Sequence, residues 1–466
     1  MNWRSGTARV LPGIGVLLWA GTAQAAEPSS ASHLSAFWVV PFAGLLLSLA
    51  LCPLLAPKVW HPHYGKIVWG WALLFILPYG WFYGLGRIGH ELWHTFLLEY
   101  LPFVLLLGGL FTVSGGLRLT GRLRAGPGVN TVILLIGTVA ASFMGTTGAS
   151  LVLIRPMIAI NRLRRHKTHV FVFFIFLIAN VGGALTPLGD PPLFLGYLEG
   201  VPFFWPFTHL VRPTIFLVAC LLAIFYTIDA WHFRKTAHPG HLAEEIEKFG
   251  LLGKLNLLWL AAIIGVVLLR GSWRPEAEFA IFGVPIGPVE LAADLAMLVV
   301  AVLSFRLTPR EVHRANEFAW APMAEVAIIF GAIFVTIIPA LAIMREGGGD
   351  LGHWLFVKGA PDNRAFYWAT GLLSSVLDNA PTYLVFFNLA GGDPAILTGP
   401  LAKTLAAISG SAVYFGALTY IGNAPNFMVR SLAESHGISM PGFFGYVAWA
   451  GLILLPLLFV TSLIFF

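Results

Sequence analysis

The sequence predicts an all-α polytopic membrane protein: about ten transmembrane helices plus two re-entrant hairpins, arranged as two inverted-topology repeats with broken helices. Three observations predict it. Of 466 residues, 58% are hydrophobic and only 11% charged, and the apolar runs recur near the roughly 20 residues that span a bilayer. Basic residues fall in short segments between those runs, as the positive-inside rule requires. Finally, "GALTPLGDPP", Gly183 to Pro192, breaks an apolar run and recurs as "GALTYIGNAP", Gly416 to Pro425.

No hydrophilic stretch is long enough to build a separate soluble domain. The excess of 28 Lys and Arg over 22 Asp and Glu therefore reports topology and implies no nucleic-acid partner. Cys52 and Cys220 each lie inside an apolar run and read as small core residues, with no disulfide framework.

Residues 1–25 have the shape of a secretory signal peptide: Arg4 and Arg9, a short apolar core, then Ala23-Gln24-Ala25. The mature N-terminus is then expected outside the cytoplasm, in a multi-pass protein of the inner (plasma) membrane. From there, residues 36–55 run inward to Lys58 and Lys66, residues 67–84 run outward, and residues 100–117 return to Arg118, Arg122 and Arg124.

The segment at about 130–160 has basic residues beyond both ends, with Arg162, Arg164, Arg165 and Lys167 after it. It must enter and leave on one face, so it is a re-entrant hairpin with its tip at "MGTTGAS". A broken helix follows at about 168–200. Residues 210–230 then return inward to Arg234 and Lys235, completing a first repeat over 36–230.

The polar stretch 231–254 reads as a cytoplasmic linker. The second repeat, 255–466, begins with runs at 255–270, 286–305 and 320–344. It contains a hairpin at about 365–390, with its tip at "SVLDNAPT", and a broken helix at about 400–434. Both motifs align between repeats at one offset of 233 residues (416 less 183). The first hairpin opens to the cytoplasm and the second to the outside, so the halves are inverted. Inverted repeats with discontinuous helices at their interface are the architecture of secondary transporters.

A helix broken inside the membrane exposes backbone polar groups to something transported. Its expected hinge residues are Gly182, Gly183, Pro187, Gly189, Pro191 and Pro192 in the first half, and Pro381, Gly422 and Pro425 in the second. Ionisable groups at membrane depth are costly and functional by default. Asp190 and Asp378 are the clearest, one from each repeat. Around them Thr146, Thr147, Ser150, Thr186, Asn379, Thr382, Asn423 and Asn426 supply hard oxygen or amide groups suited to a small cation or a hydroxylated substrate. The expected metal is Na⁺ at Asp190 and Asp378, as cargo, exchanged for protons; no resident cofactor is expected.

Glu290, Asp294 and Glu325 lie near the ends of spans and read as interfacial contacts or proton-pathway groups. Arg155, inside the first hairpin, is expected to pair with a carboxylate or to snorkel. "HELWH", His90 to His94, matches a zinc-protease pattern, but it falls in an expected outside loop and is read as an aromatic interfacial segment.

"NVGGALTPLGDPPLFLG", "SSVLDNAPTYLVFF" and "GALTYIGNAPNFMV" together resemble the ion transporter superfamily, most closely its NhaD-type sodium/proton antiporter and citrate-transporter branch. The resemblance implies a homodimer with a fixed scaffold and a moving transport domain. It also implies a binding site at Thr146, Thr147, Asp378, Asn379, Asp190 and Asn423. The tips here read Gly-Thr-Thr-Gly and Asp-Asn-Ala-Pro, where dicarboxylate carriers of that superfamily have Ser-Asn-Thr.

The expected function is sodium/proton antiport by alternating access, because two carboxylates without a deep Lys or Arg partner repel an anion unless cations enter first. The alternative is a sodium- or proton-coupled citrate or carboxylate carrier. A remote third reading is an intramembrane zinc metalloprotease.

Overall fold

The computed structural model describes residues 34–121, 125–236, 250–273, 275, 277–345, 356–357 and 360–466. The signal peptide expected at 1–25 and the middle of the expected linker, 237–249, lie outside the described residues. The first half contains α1 (Val40–Leu55), α2 (Pro57–Tyr83), α3 (Leu85–Thr95), α4 (Leu101–Gly115), α5 (Pro127–Met144), α6 (Thr146–Ile160), α7 (Thr168–Leu177), α8 (Pro191–Leu198) and α9 (Trp205–Thr236). The second half contains α10 (Leu255–Ser272), α11 (Pro288–Leu307), α12 (Arg310–Ala315), α13 (Ala321–Arg345), α14 (Asn363–Val376), α15 (Asn379–Leu389), α16 (Pro394–Thr398), α17 (Ala402–Tyr414), α18 (Ala424–Ser435) and α19 (Phe443–Phe465).

Among the described residues, nine helices are long and apolar enough to cross a membrane. Among the described residues, strands occur as three short antiparallel pairs, such as Arg118–Thr120 with Gly250–Leu252. The chain is thus an all-helical polytopic membrane protein. Pro127, Pro191 and Pro288 open α5, α8 and α11, the position where a missing N–H leaves no hydrogen bond unmade.

Burial separates the core from the lipid-facing shell. Of the apolar run Thr168–Leu185, 89% is buried inside the protein, against 17% of α10. Every residue from Val170 to Ala179 is fully enclosed. A run apolar on all faces is what a helix surrounded by other helices requires, so α7 lies in the core of the protein and α10 on its outer surface.

The ends of α4, α10, α11 and α12 are tied together where basic residues gather. The Asn256 amide donates to Gly116 O at 3.0 Å and to Thr308 Oγ1 at 2.8 Å. Asn316 Nδ2 donates to Gly115 O at 2.8 Å and to Leu117 O at 2.9 Å. Nearby, the fully buried Asp229 of α9 accepts from Arg164 Nη1 at 3.0 Å and from Asn130 Nδ2 at 3.0 Å, and lies 2.7 Å from His169 Nε2. This cluster clasps the open ends of α5 and α6 to α7 and α9.

The structure differs from the sequence reading in three places. Helix α2 begins at Pro57, so Lys58 and Lys66 ride on a helix rather than in a turn. Helix α9 continues to Thr236, absorbing the start of the expected linker. "HELWH" is not loop: it belongs to α3, which a five-residue π-helical turn, Phe96–Tyr100, joins to α4.

Candidate functional site

Two pairs of consecutive helices are joined by short tips. In the first, α5 and α6 meet at Gly145, whose φ of 79° is left-handed, a conformation glycine enters without a Cβ penalty. In the second, α14 and α15 meet at Leu377 and Asp378. The broken helices are α7 and α8, joined through a 3-10 turn at Val181–Leu185, and α17 and α18, joined through a 3-10 turn at Phe415–Leu418.

The two breaks share their internal chemistry at an offset of 233 residues. Thr186 Oγ1 donates to Ser142 O, and Thr419 Oγ1 donates to Ser375 O at 2.6 Å. Leu188 N donates to Thr186 Oγ1 at 3.2 Å, and Ile421 N donates to Thr419 Oγ1 at 3.2 Å. In each half, one threonine therefore fastens the break to the first arm of the adjacent hairpin. Close backbone packing accompanies this. A Cβ on Gly189 would lie 2.2 Å from Gly183 O, and one on Gly422 would lie 2.7 Å from Gly416 O.

At the centre is Asp190, 1% exposed. Its carboxylate is surrounded by donors from three other elements. Oδ1 accepts from Thr146 Oγ1 at 2.8 Å and from Asn423 Nδ2 at 3.1 Å, and Oδ2 accepts from Asn379 Nδ2. Thr146 N also donates to Gly189 O at 2.9 Å. Both hairpin tips and both helix breaks thus converge on one side chain.

Asp378 immediately precedes Asn379, whose amide donates to Asp190 Oδ2. It is half-buried and caps α15, its Oδ1 accepting from Ala380 N at 3.4 Å. Asp190, Asp378, Asn423 and Gly145 are the N-cap residues of α8, α15, α18 and α6. Four half-helix N-termini, each carrying about half a positive charge, therefore point at this cluster.

The other sequence candidates divide by what they touch. Thr186 braces the first break, and Thr382 Oγ1 donates to Asp378 O at 2.9 Å. Asn426 Nδ2 donates to Gly416 O at 2.7 Å and to Thr419 O at 2.9 Å, holding the second break. Thr147 is half-buried beside Thr146. Ser150 is fully buried, its Oγ without a hydrogen-bond partner among the described residues, as is Asn379 Oδ1.

Asn180 escaped the sequence reading. Its Nδ2 donates to Ile175 O at 2.8 Å and to Asn426 Oδ1 at 2.7 Å, and its Oδ1 accepts from Asn423 Nδ2 at 3.3 Å. It welds the two breaks together. A lone amide ending the apolar run "VFVFFIFLIAN" was the available signal.

The groups read as interfacial are placed variously. Asp294 pairs with Arg270 at 2.7 Å, and Glu325 is exposed near the start of α13. In "HELWH", Glu91 pairs with Arg87 at 3.6 Å while Trp93 stacks on Phe282. Among the described residues no group of three or more His, Cys, Asp or Glu is placed to hold a metal ion.

A carboxylate caged by amide and hydroxyl donors thus sits where two helical hairpins and two interrupted helices meet. Among known families, the model described as "Putative citrate transport" matches residues 31–466. The chain belongs to that citrate transport family.

Proposed function

We propose that the protein is a secondary transporter that carries small carboxylates of the citrate class together with a cation, by alternating access. The observation that carries this reading is the convergence of four half-helix N-termini on the Asp190 and Asp378 carboxylates. Four dipole ends contribute roughly +2 in all, which balances the two carboxylates. A site so balanced favours neither sign strongly. Binding of Na⁺ or H⁺ tips it positive, and a polyanion then follows.

The buried Asn379 Oδ1 and Ser150 Oγ, each without a hydrogen-bond partner among the described residues, are hard oxygens available to such a cation. Family membership supports the carboxylate as cargo. Sodium/proton antiport, the leading expectation from the sequence, is the second reading. One observation favours it: no Lys or Arg bonds Asp190 or Asp378 among the described residues, so the same pair could serve cations alone.

Proteoliposomes containing the purified protein separate the two. Labelled citrate should accumulate against its gradient when Na⁺ or H⁺ is supplied from outside, and Asp190→Asn should abolish uptake. An inward Na⁺ gradient that moves protons in the absence of any organic acid, with no citrate uptake, would replace carboxylate transport by antiport.

A further inference from the structure

Away from the Asp190 cage the protein has a partly open cavity of about 150 Å³. It lies between α4, α6, α18 and the residues that lead from α12 into α13. Its lining includes Phe111, Ser114, Arg155, Phe318, Met428 and Leu432. One water needs about 10–15 Å³ of such space, so the cavity has room for a small organic acid.

Two polar groups in its wall have no hydrogen-bond partner among the described residues: Ser114 Oγ, on a residue 1% exposed, and Arg155 Nη1. Unpaired buried donors are uncommon, because each forfeits its bond to water. The Arg155 side chain is 19% exposed, and only Nη2 is engaged, donating to Glu317 Oε2 at 3.0 Å. The Glu317 side chain is 66% exposed, so this carboxylate reaches Arg155 from the solvent side and leaves the inner edge of the guanidinium unanswered. A planar guanidinium with a free N–H, in the same cavity wall as a hydroxyl, has the chemistry that recognises a carboxylate.

The position matters as much as the chemistry. Arg155 is nine residues beyond Thr146 on α6, and Leu432 eight beyond Ala424 on α18, about 12–14 Å at 1.5 Å per residue. Ser114 sits nearer the cage: a Cβ on Gly148, two residues from Thr146, would lie 2.3 Å from Ser114 Oγ. The cavity therefore runs along the two half-helices that start at the cage, towards the face where Arg118, Arg162 and Arg165 lie.

We propose that this cavity is a second carboxylate site, a waiting position on the basic face, where Arg155 Nη1 and Ser114 Oγ hold the anion on its way to or from Asp190. The inference rests on the carboxylate reading of the central site. Glu317 competes with the substrate for the same guanidinium.

The test is equilibrium binding of labelled citrate to the purified full chain in nanodiscs of phosphatidylcholine alone, so that no anionic headgroup can occupy the cavity. The wild type should bind two citrates per chain. Arg155→Gln and Ser114→Val should each weaken one site at least tenfold and leave the other. Arg155→Lys should recover part of the loss, and Glu317→Gln should tighten that site severalfold. Asp190→Asn should remove only the other site. Thermal melting identifies any variant that fails to fold, and Ser114→Val then carries the test. A single citrate site, lost in Asp190→Asn and unchanged in Arg155→Gln, overturns the second site and leaves the central reading standing. A wild type that binds no citrate sinks the central reading, and this inference with it. Binding at Arg155 that appears only with inorganic phosphate or phosphatidylglycerol would make the cavity a phosphate or lipid site and overturn the proposal.

Discussion

Asp190 and Asn423 occupy equivalent positions 233 residues apart, and they touch: Asn423 Nδ2 donates to Asp190 Oδ1 at 3.1 Å. Each is the N-cap of the half-helix that follows its break. The two helix breaks therefore meet face to face at this pair. One position supplies the acceptor and the other the donor, so the pair satisfies itself without water.

That complementarity predicts how the two substitutions differ. Asp190→Asn keeps the shape but turns an amide group towards three donors, so one N–H faces another N–H or O–H, and transport should vanish. Asn423→Ala removes one donor to a charged acceptor, worth about 1.5–3 kcal/mol, or roughly 10- to 150-fold at 1.4 kcal/mol per decade. Transport should fall within that range but remain measurable. Uptake rates normalised to folded protein would check both; equal rates for wild type and Asp190→Asn would remove Asp190 from the mechanism.

The paired breaks predict which glycines are irreplaceable. At Gly189 an added methyl would meet the carbonyl of Gly183 at 2.2 Å, and at Gly422 it would meet that of Gly416 at 2.7 Å. Backbone cannot swing aside as a side-chain end can. Gly189→Ala and Gly422→Ala should therefore each destabilise by at least about 2 kcal/mol, in the range of overpacked cores. Gly70 lies in α2 with nothing within 4 Å of the new methyl, so Gly70→Ala should be neutral or stabilise by up to about 1 kcal/mol. Melting temperatures in detergent would rank the three.

Much of this was legible because a break in a membrane helix needs Gly, Pro and a cap, and these stand out in an apolar sequence. Asp190, Asn379, Asn423 and Thr146 were all visible as polar residues beside such breaks. The bracing residues were less so: Asn180 and Asp229 are single polar side chains in apolar runs, and nothing local tells what they bind. The partners of Asp229 lie 60, 65 and 99 residues away in the chain. "HELWH" was taken for loop because its polar residues interrupt the hydropathy. On α3 they pair along the helix, as Arg87 and Glu91 do, and the backbone stays satisfied. The first turns of α2 were missed for the same reason, since Lys58, His61, His63 and Lys66 make a helical segment look like a loop.

Asp229 predicts a large stability effect far from the cage. It is fully buried, and the Arg164 side chain is 5% exposed. Asp229→Ala leaves that guanidinium without its counter-charge, and breaking a buried pair in this way costs about 3–5 kcal/mol. Replacing both, with Asp229→Leu and Arg164→Met, removes the orphaned charge and should cost less than Asp229→Ala alone. Thermal melting of the single and double variants would show it; a double variant less stable than the single would mean that the charges are not compensating one another.

Glu317 predicts the opposite sign. It follows α12 with a φ of 49°, the left-handed conformation that glycine usually supplies after a helix. Glu317 N donates to Arg314 O at 3.0 Å and Phe318 N to His313 O at 2.9 Å, so the cap is fully formed and the strain is local. A non-glycine residue held there costs of order 1 kcal/mol or more, and its ion pair with Arg155, exposed on the glutamate side, returns about 0–1 kcal/mol. Glu317→Gly should therefore melt at or above the wild-type temperature. Glu317→Gln keeps the strain and loses the charge, so it should melt at or slightly below it. If Glu317→Gly were instead clearly destabilised, the ion pair would be stronger than its exposure allows, and Glu317 would belong to the packing of α6 against α13 rather than to the mouth of the cavity.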